Sequence, residues 1–360
     1  MNVIDLFSGA GGFSEGFKKA GFKILAANEI NEEIAKTYML NHKDTIMFNE
    51  DIKDLSLEID RLKESINYQK VDVIIGGPPC QGFSMAGSRI RKNSFLDDPR
   101  NYLFKYYYKI IKALSPDYFV MENVQGMLSS KKGKIVEEIE RIFTEEGYKV
   151  DKRVLNAQNF GIPQVRKRLF IIGSKFERID LYKETRKYYK EKVTLREAIS
   201  DLNYLNSGEG NDCSDYLLEP ESDYQKERRA NSDKLYNHKA TNHSKKAIER
   251  MKAVDPGQNR EQIDENIKSV HSGAYGRLEW NNVAMTITTR FDTPSAGRVI
   301  HPELNRTLTP REAARVQSFD DNFRFVGSKS SIGKQIGNAV PPLLAEVIAK
   351  IILEDMGKRR

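Results

Sequence analysis

At 360 residues the chain has room for one large domain and a smaller one, and 39% hydrophobic with 9% aromatic content suits a globular protein with a sizeable core. Two cysteines, Cys80 and Cys213, in unlike contexts exclude a disulfide framework and a cysteine zinc set, while the formal net charge of +7 suits a polyanionic partner without demanding one. No apolar stretch approaches the roughly 20 residues that a bilayer crossing needs, and Met1-Asn2-Val3-Ile4-Asp5 runs into a strand pattern without a secretory leader, so a cytoplasmic protein is expected.

Residues 2–7 read as a first strand, residues 8–12 as a glycine-rich turn and residues 13–20 as a helix. Such a turn lets a ligand approach the backbone and face a helix N-terminus. The run departs from the Gly-x-Gly-x-x-Gly dinucleotide pattern at Ser14. A second strand, residues 23–28, ends in Glu29, which stands 20 residues after Gly9. That is about the spacing at which an acid meets a ribose diol in Rossmann-like folds, although an acidic helix N-terminus explains it equally well. A helix over 31–41 and a short strand over 45–48 lead to Asp51, which accepts from an adenine amino group or caps a turn.

Residues 71–84 are the stretch around which the rest is arranged. The apolar run from Val71 to Ile75 has the β-branched content of a strand buried on both faces, and Gly76-Gly77-Pro78-Pro79 cannot continue it. Cys80 is thereby expected at the carboxyl end of a strand, the edge where open α/β sheets bind ligands. A lone cysteine is more often a small buried hydrophobe, but the neighbours Gln81, Gly82 and Ser84 suit an exposed turn. The polar segment through residue 99, with Arg89, Arg91 and Lys92, is too long for a tight connection and reads as a lid that meets phosphates or as a solvated charge run.

A helix over 102–114 precedes a strand over 117–121 that delivers Glu122 to the same edge as Cys80. An acid at the end of a buried apolar strand is costly unless it is paired, hydrogen-bonded or protonated, which asks for a function. A helix over 133–147 and strands over 149–155 and 169–173 follow. Strand alternation places Gln164, Arg166 and Arg168 on one face, suited to an anion or carbonyl or to surface ion pairs. From 176 to about 305 the pattern dissolves, and between Lys226 and Arg260 ten Lys/Arg stand against four Asp/Glu, as in a small domain with a basic face. Thr309 then caps a helix with Pro310 at its first position, and an apolar helix runs over 343–353.

Taken as an ordered set, these residues resemble the 5-methylcytosine DNA methyltransferases of the bacterial restriction-modification type. The resemblance rests on Asp5 through Gly12, Gly77 through Ser84, Glu122-Asn123-Val124, Gln164 through Arg168, Arg311-Glu312-Ala313-Ala314-Arg315 and Gly337 through Pro341. It implies an α/β fold, a Rossmann-like class I S-adenosylmethionine-dependent methyltransferase sheet, with a second, smaller, mostly β or irregular target-recognition domain. The expected boundaries are 1–190 for the catalytic domain, 191–306 for target recognition and 307–360 for the hinge and the return to the first domain.

The family's chemistry implies that a Cys80 thiolate adds to C6 of cytosine, which makes C5 able to attack the methyl group of S-adenosylmethionine and leaves S-adenosylhomocysteine. By the same resemblance Glu122 contacts N3 and the amino group, Arg168 binds the O2 carbonyl and Arg166 lies near the thiol. The carried-over cofactor contacts are Phe7 on the adenine, Ser8, Gly9, Gly11 and Gly12 near the methionine part, Glu29 on the ribose, and Ile30, Asp51 and Ile52 around the adenine. Pro79, Leu103 and Asn338 close that pocket. Many members carry a bulky aromatic where Ile30 stands. The target cytosine must leave the duplex to be reached. No metal is needed, the implied partner is double-stranded DNA bound by a monomer, and a cognate endonuclease is the implied companion. Transfer RNA cytosine methylation is the nearest rival, but those enzymes carry Cys-Phe-Thr in the small domain, where this chain has Cys213-Ser214-Asp215. A catalytically dead relative would be expected to have lost Cys80, Glu122 or the glycine turn, and a nicotinamide oxidoreductase would leave Pro79-Cys80 unexplained.

Overall fold

A computed structural model describes residues 1–79, 102–129, 133–265, 267, 269, 271 and 273–359. Cys80 and the expected lid over 81–99 lie outside the described residues. The chain divides into two compact units, the first formed by Met1–Asn156, Lys167–Tyr189 and Leu344–Arg360, the second by Ala157–Arg166 and Lys190–Leu343.

The first unit alternates strands and helices where the hydrophobic periods predict them, with further short helices over 52–57, 59–65 and 181–186 that the sequence reading did not place. In chain order these are β1 (Asn2–Leu6), α1 (Gly12–Lys19), β2 (Lys23–Asn28), α2 (Glu32–Asn41), β3 (Ile46–Phe48), α3 (Ile52–Leu57), α4 (Ile59–Ser65) and β4 (Val73–Gly76). Then come α5 (Tyr102–Leu114), β5 (Tyr118–Val124), α6 (Lys134–Glu145), β6 (Lys149–Asn156), β7 (Lys167–Ser174) and α7 (Leu181–Arg186). The seven strands form one sheet in the order β3-β2-β1-β4-β5-β7-β6, parallel except that β7 runs antiparallel to β5 and β6. The chain order reverses between β1 and β4, and in such sheets the crevice for a ligand opens outside the carboxyl ends at that reversal.

Burial explains why these runs are strands. Val73, Ile74, Ile75, Phe119, Val120 and Met121 are wholly buried, as β-branched and aromatic residues in a parallel sheet covered on both faces should be. Helices α5 and α6 cover one face with Tyr107, Ile110, Ile139 and Phe143, the last stacked on Phe119 at 4.0 Å between ring centres.

The second unit has little regular ladder: α8 (Leu195–Ile199), β8 (Gly210–Ser214), α9 (Asp223–Arg229), β9 (Leu235–Lys239), α10 (Lys245–Lys252), β10 (Gly276–Arg277), β11 (Arg298–Ile300), α11 (Pro310–Val316) and α12 (Lys329–Asn338). Irregular backbone leaves buried carbonyls that no strand partner satisfies, and long guanidinium forks supply the missing donors. Arg277 donates to the carbonyls of Met251, Val254, His301 and Leu304, and Arg311 to those of Tyr236, Asp320 and Phe323. Arg306 grips Glu312 through two bonds of 2.7 Å, while Arg315 pairs with Asp201 and Asp321. Removing one partner from such a buried pair typically costs about 3–5 kcal/mol. Thr309 caps α11 with Pro310 in its first turn, as the sequence predicts, and Glu312 completes a capping box with it.

Of the ten basic residues between Lys226 and Arg260, only Lys239 and Lys245 lack a partner among the described residues. The others are paired or bound to carbonyls, as Arg229 is to Asp201, Lys234 to Asp215 and Arg250 to Glu265. Arg229 is drawn inward onto the buried Asp201, whereas Lys226, Lys234, Lys246 and Lys252 stay about half or more exposed in surface ion pairs, which contribute little to stability. The final helix, α13 (Pro342–Gly357), returns the chain to the first unit, where Tyr118 donates to Asp355 at 2.7 Å. Contrary to the expectation from hydropathy, residues 329–357 are long and apolar enough to cross a membrane, but 67% of the apolar 18-residue window within them is buried inside the protein, as in a core helix, and the helix breaks at residues 339–341.

Candidate active site

The registers of the parallel strands align Leu6 with Gly76 and Gly76 with Met121, so β1, β4 and β5 reach the carboxyl edge together and present Phe7, Gly77 and Glu122 side by side. A methyl group placed on Gly77 would stand 3.3 Å from Glu122 Oε2, which shows how closely the carboxylate lies against the end of β4. The antiparallel pairing of β5 with β7 sets Val124 opposite Arg168, so Arg168 is the diagonal neighbour of Glu122 on one face. Its Nε meets Glu122 Oε1 at 3.0 Å, with the two side chains only 15% and 12% exposed. Asn123 donates to the Pro78 carbonyl at 2.9 Å and so ties the turn after β4 to β5. Pro79 is exposed directly beyond it.

Arg166 behaves differently from Arg168. Regular strand geometry begins only at Lys167, so the alternation that puts both arginines on one face does not extend back to Arg166. Arg166 belongs to the second unit, is fully buried, and donates to the carbonyls of Ile287, Gly337 and Ala339. Gln164 is likewise buried and donates to the Val316 carbonyl and to Gln317. Asn338, also of the second unit, is exposed at the end of α12.

At the other end of the same edge, Phe7 adopts φ +56°, uncommon for a residue with a side chain, and Gly9 and Gly11 follow at +56° and +99°. This left-handed turn carries the chain from β1 into α1. Glu29 fastens it: Oε2 accepts from the Gly9 amide at 3.1 Å and Oε1 from the Asn31 amide at 2.8 Å, while burial raises the Glu29 pKa. Ile30 is 65% exposed beside it. Asp51 caps α3 by accepting from the Lys53 amide at 2.8 Å. Ile52 is buried in the core, and Leu103 packs partly buried against the same core.

A layer of polar groups beneath the turn escaped the sequence reading. Ser14 bonds Asp5 and the Tyr38 hydroxyl, each at 2.7 Å, and this explains why the glycine pattern departs there: the position needs a hydroxyl. Burial raises the Asp5 pKa to about 7. An acid inside the apolar run of β1 was the available signal. His42 closes the other side of the turn, where a methyl group on Gly11 would come within 2.5 Å of its ring, and burial lowers its pKa to about 4.

These shifts carry a pH prediction. Burial also holds His238 and His243 down to about 4 and His301 to about 3. Histidines kept neutral in the fold contribute stability that is present above their ordinary pKa of 6.5 and lost as the pH falls through 6.5 toward 4. Asp5 has the opposite sign, because its raised pKa favours the fold at low pH and that contribution fades as the pH rises from 4 to 7. Four histidines outweigh the acid. The melting temperature is therefore expected to fall steadily between pH 6.5 and 4.5 in thermal scans, and a flat profile would contradict neutral burial.

A family model described as C-5 cytosine-specific DNA methylase matches residues 1–354. The chain belongs to that family. This methylase is 40% identical over 354 residues to the type II methyltransferase M1.HphI of Haemophilus parahaemolyticus, covering 98% of this chain and 87% of the relative. It is 38% identical to M.DdeI of Desulfomicrobium norvegicum, covering 98% and 88%. A solved structure described as a DNA modification methyltransferase encoded within an E. coli prophage superposes with a TM-score of 0.79 at 30% identity, covering 98% of this chain and 99% of that one. The Dnmt2 methyltransferase of S. pombe, at 0.66 and 18% identity, shares the fold.

The chain is thus a DNA (cytosine-5-)-methyltransferase, and S-adenosylmethionine is its cofactor. The residues at the edge fit that molecule. The Ser8 hydroxyl is buried with no hydrogen-bond partner among the described residues, a group left for a ligand at the turn. Glu29 offers a fixed carboxylate to a diol, and the uncovered Ile30 offers an apolar wall to a purine.

Proposed function

We propose that this methylase modifies C5 of a cytosine within one short sequence of double-stranded DNA through a covalent intermediate on Cys80, and that it protects host DNA beside a cognate endonuclease. The observation that carries this reading is the Glu122–Arg168 pair beside Gly77 and Pro78, a fixed acid and a fixed guanidinium next to the expected position of a nucleophile. When bound, S-adenosylmethionine supplies an electrophilic methyl group.

The protein's own residues supply the rest. Cys80 adds its sulfur to C6, which places electron density on C5; once C5 carries the methyl group, loss of the C5 proton to water re-forms the ring double bond and expels the thiolate. Glu122 holds N3 and the exocyclic amino group while charge develops on the ring, and Arg168 donates a hydrogen bond to the O2 carbonyl on the same face. Arg166 acts by fixing backbone in the second unit that serves target recognition. The cytosine is read outside the helix, since the nucleophile must approach C6 perpendicular to a ring that stacking otherwise covers.

The deciding experiment is transfer of tritiated methyl groups to unmethylated duplex DNA and, in parallel, to transfer RNA, with the modified bases mapped. Label at C5 of cytosine in one DNA sequence is expected. Label confined to RNA would replace this reading with RNA methylation.

A further inference from the structure

The second unit spends its arginines on itself, with one exception. Arg196 lies over Trp280, Arg298 donates to the Gln258 and Arg277 carbonyls, Arg324 lies over Tyr236, and the buried ones grip carbonyls or carboxylates. Alone among the unit's arginines, the Arg290 side chain has no hydrogen bond, ion pair or ring contact among the described residues. Its nearest acid in sequence, Asp292, is held by Lys329 at 3.0 Å.

The backbone that carries Arg290 is clamped from several sides. The Val165 amide donates to the Ala284 carbonyl at 2.8 Å, the Ala284 amide donates to the Pro163 carbonyl at 2.9 Å, and the Ile287 amide donates to the buried Gln164 side chain at 3.2 Å. Arg166 holds the Ile287 carbonyl. Gly333 and Gly337, one turn apart on α12, admit residues 288 and 289 so closely that a methyl group on Gly337 would stand 2.4 Å from the Thr289 amide. Past Arg290 the chain turns, with the Thr293 amide donating to the Arg290 carbonyl at 3.1 Å, and is anchored by Phe291 at 1% exposure. An exposed, unpartnered guanidinium thus projects from a backbone fixed on both sides.

We propose that Arg290 reads a guanine in the recognised sequence, its fork donating to O6 and N7 in the major groove. This inference rests on the DNA reading above and extends it to the residue that sets specificity. A phosphate contact tolerates a flexible cation, whereas bidentate base readout needs the planar fork held in register, which the clamped backbone provides. Keeping an arginine unpaired in a unit that pairs the others leaves its donors free for such a partner.

The test compares wild type, R290A and R290K on a duplex library randomised around cytosine, with the methylated sequences read out and DNA affinity measured against salt. Because the Arg290 side chain has no hydrogen bond, ion pair or ring contact among the described residues, both variants should melt and bind S-adenosylmethionine as wild type does. The expected result is a loss of about ten- to a hundredfold in methylation of the wild-type sequence by both variants, with the preference relaxed at one guanine position only. R290K that keeps full preference, with R290A weakened equally on all sequences and its salt slope reduced by about one, would make Arg290 a phosphate contact and overturn the proposal. Unchanged preference in both variants would also overturn it. Wild type that labels no duplex DNA would instead sink the underlying functional reading, before any variant is compared.

Discussion

Cys80→Ser is expected to abolish methyl transfer, by about 10⁴-fold or more, while leaving duplex affinity within a few-fold of wild type. The loss of rate is on the scale seen when a covalent nucleophile is removed. A thiol has an ordinary pKa of about 8.5, so a site that favours its anion obtains a usable fraction of thiolate near neutral pH. A serine hydroxyl provides no comparable anion. The ring of cytosine is not nucleophilic enough at C5 without the adduct at C6, so no partial route remains. Binding should survive because sulfur-to-oxygen exchange changes neither charge nor shape at the neutral side chain. Tritium incorporation and a gel-shift titration on the same duplex separate the two effects. A serine variant that turns over at the wild-type rate would remove Cys80 from the mechanism.

Glu122→Gln should lower kcat by about 10²- to 10⁴-fold, the range associated with a positioned acid or base, and change the dissociation constant of S-adenosylmethionine only a few-fold. Glutamine keeps the size of the side chain beside Gly77 but removes the charge that meets Arg168 at 3.0 Å. It cannot stabilise charge on the ring as the carboxylic group does, and it leaves the partly buried guanidinium without its counter-charge. Cofactor affinity should hold because Glu29, Ser8 and the turn at Gly9 are fastened independently by β2 and the Asn31 amide. Single-turnover methylation and equilibrium cofactor binding distinguish the outcomes. Equal losses in rate and in cofactor affinity would mark Glu122 as a structural partner of Arg168 rather than a group that touches the base.

Several parts of this protein are legible in the order of its residues, because they depend on neighbours close in the chain. Val73 to Ile75 and Tyr118 to Met121 are dense in β-branched and aromatic residues, and they are central strands. Gly9 and Gly11 adopt left-handed angles in the expected strand-to-helix turn. Thr309 and Pro310 begin a helix because capping is a local matter of one hydroxyl and one fixed φ.

Other features depend on partners far away in sequence. Asp51 reads equally as a ligand contact or a helix start, and only the tertiary structure shows that one of its oxygens accepts from the Lys53 amide. Ser14 looks like a flaw in a glycine pattern until Asp5 and Tyr38 are placed against it. Arg166 and Arg168, two residues apart, take unrelated tasks because one faces carbonyls about 120 to 170 residues later and the other faces an acid across an antiparallel strand pair. The basic run in the second unit looks like a surface for a polyanion, and only the fold shows which of its charges are drawn inward, as Arg229 is by the buried Asp201, and which stay exposed, as Lys226 and Lys246 do. The sequence by itself pointed to the reaction class and the cofactor, through motifs that resemble a known family, and to the chain order of most strands and helices in the first unit, because motifs and hydrophobic period are written in neighbouring residues. Only the tertiary structure decided which charges are available to a partner, because the availability of a charge is set by the groups that folding brings to it.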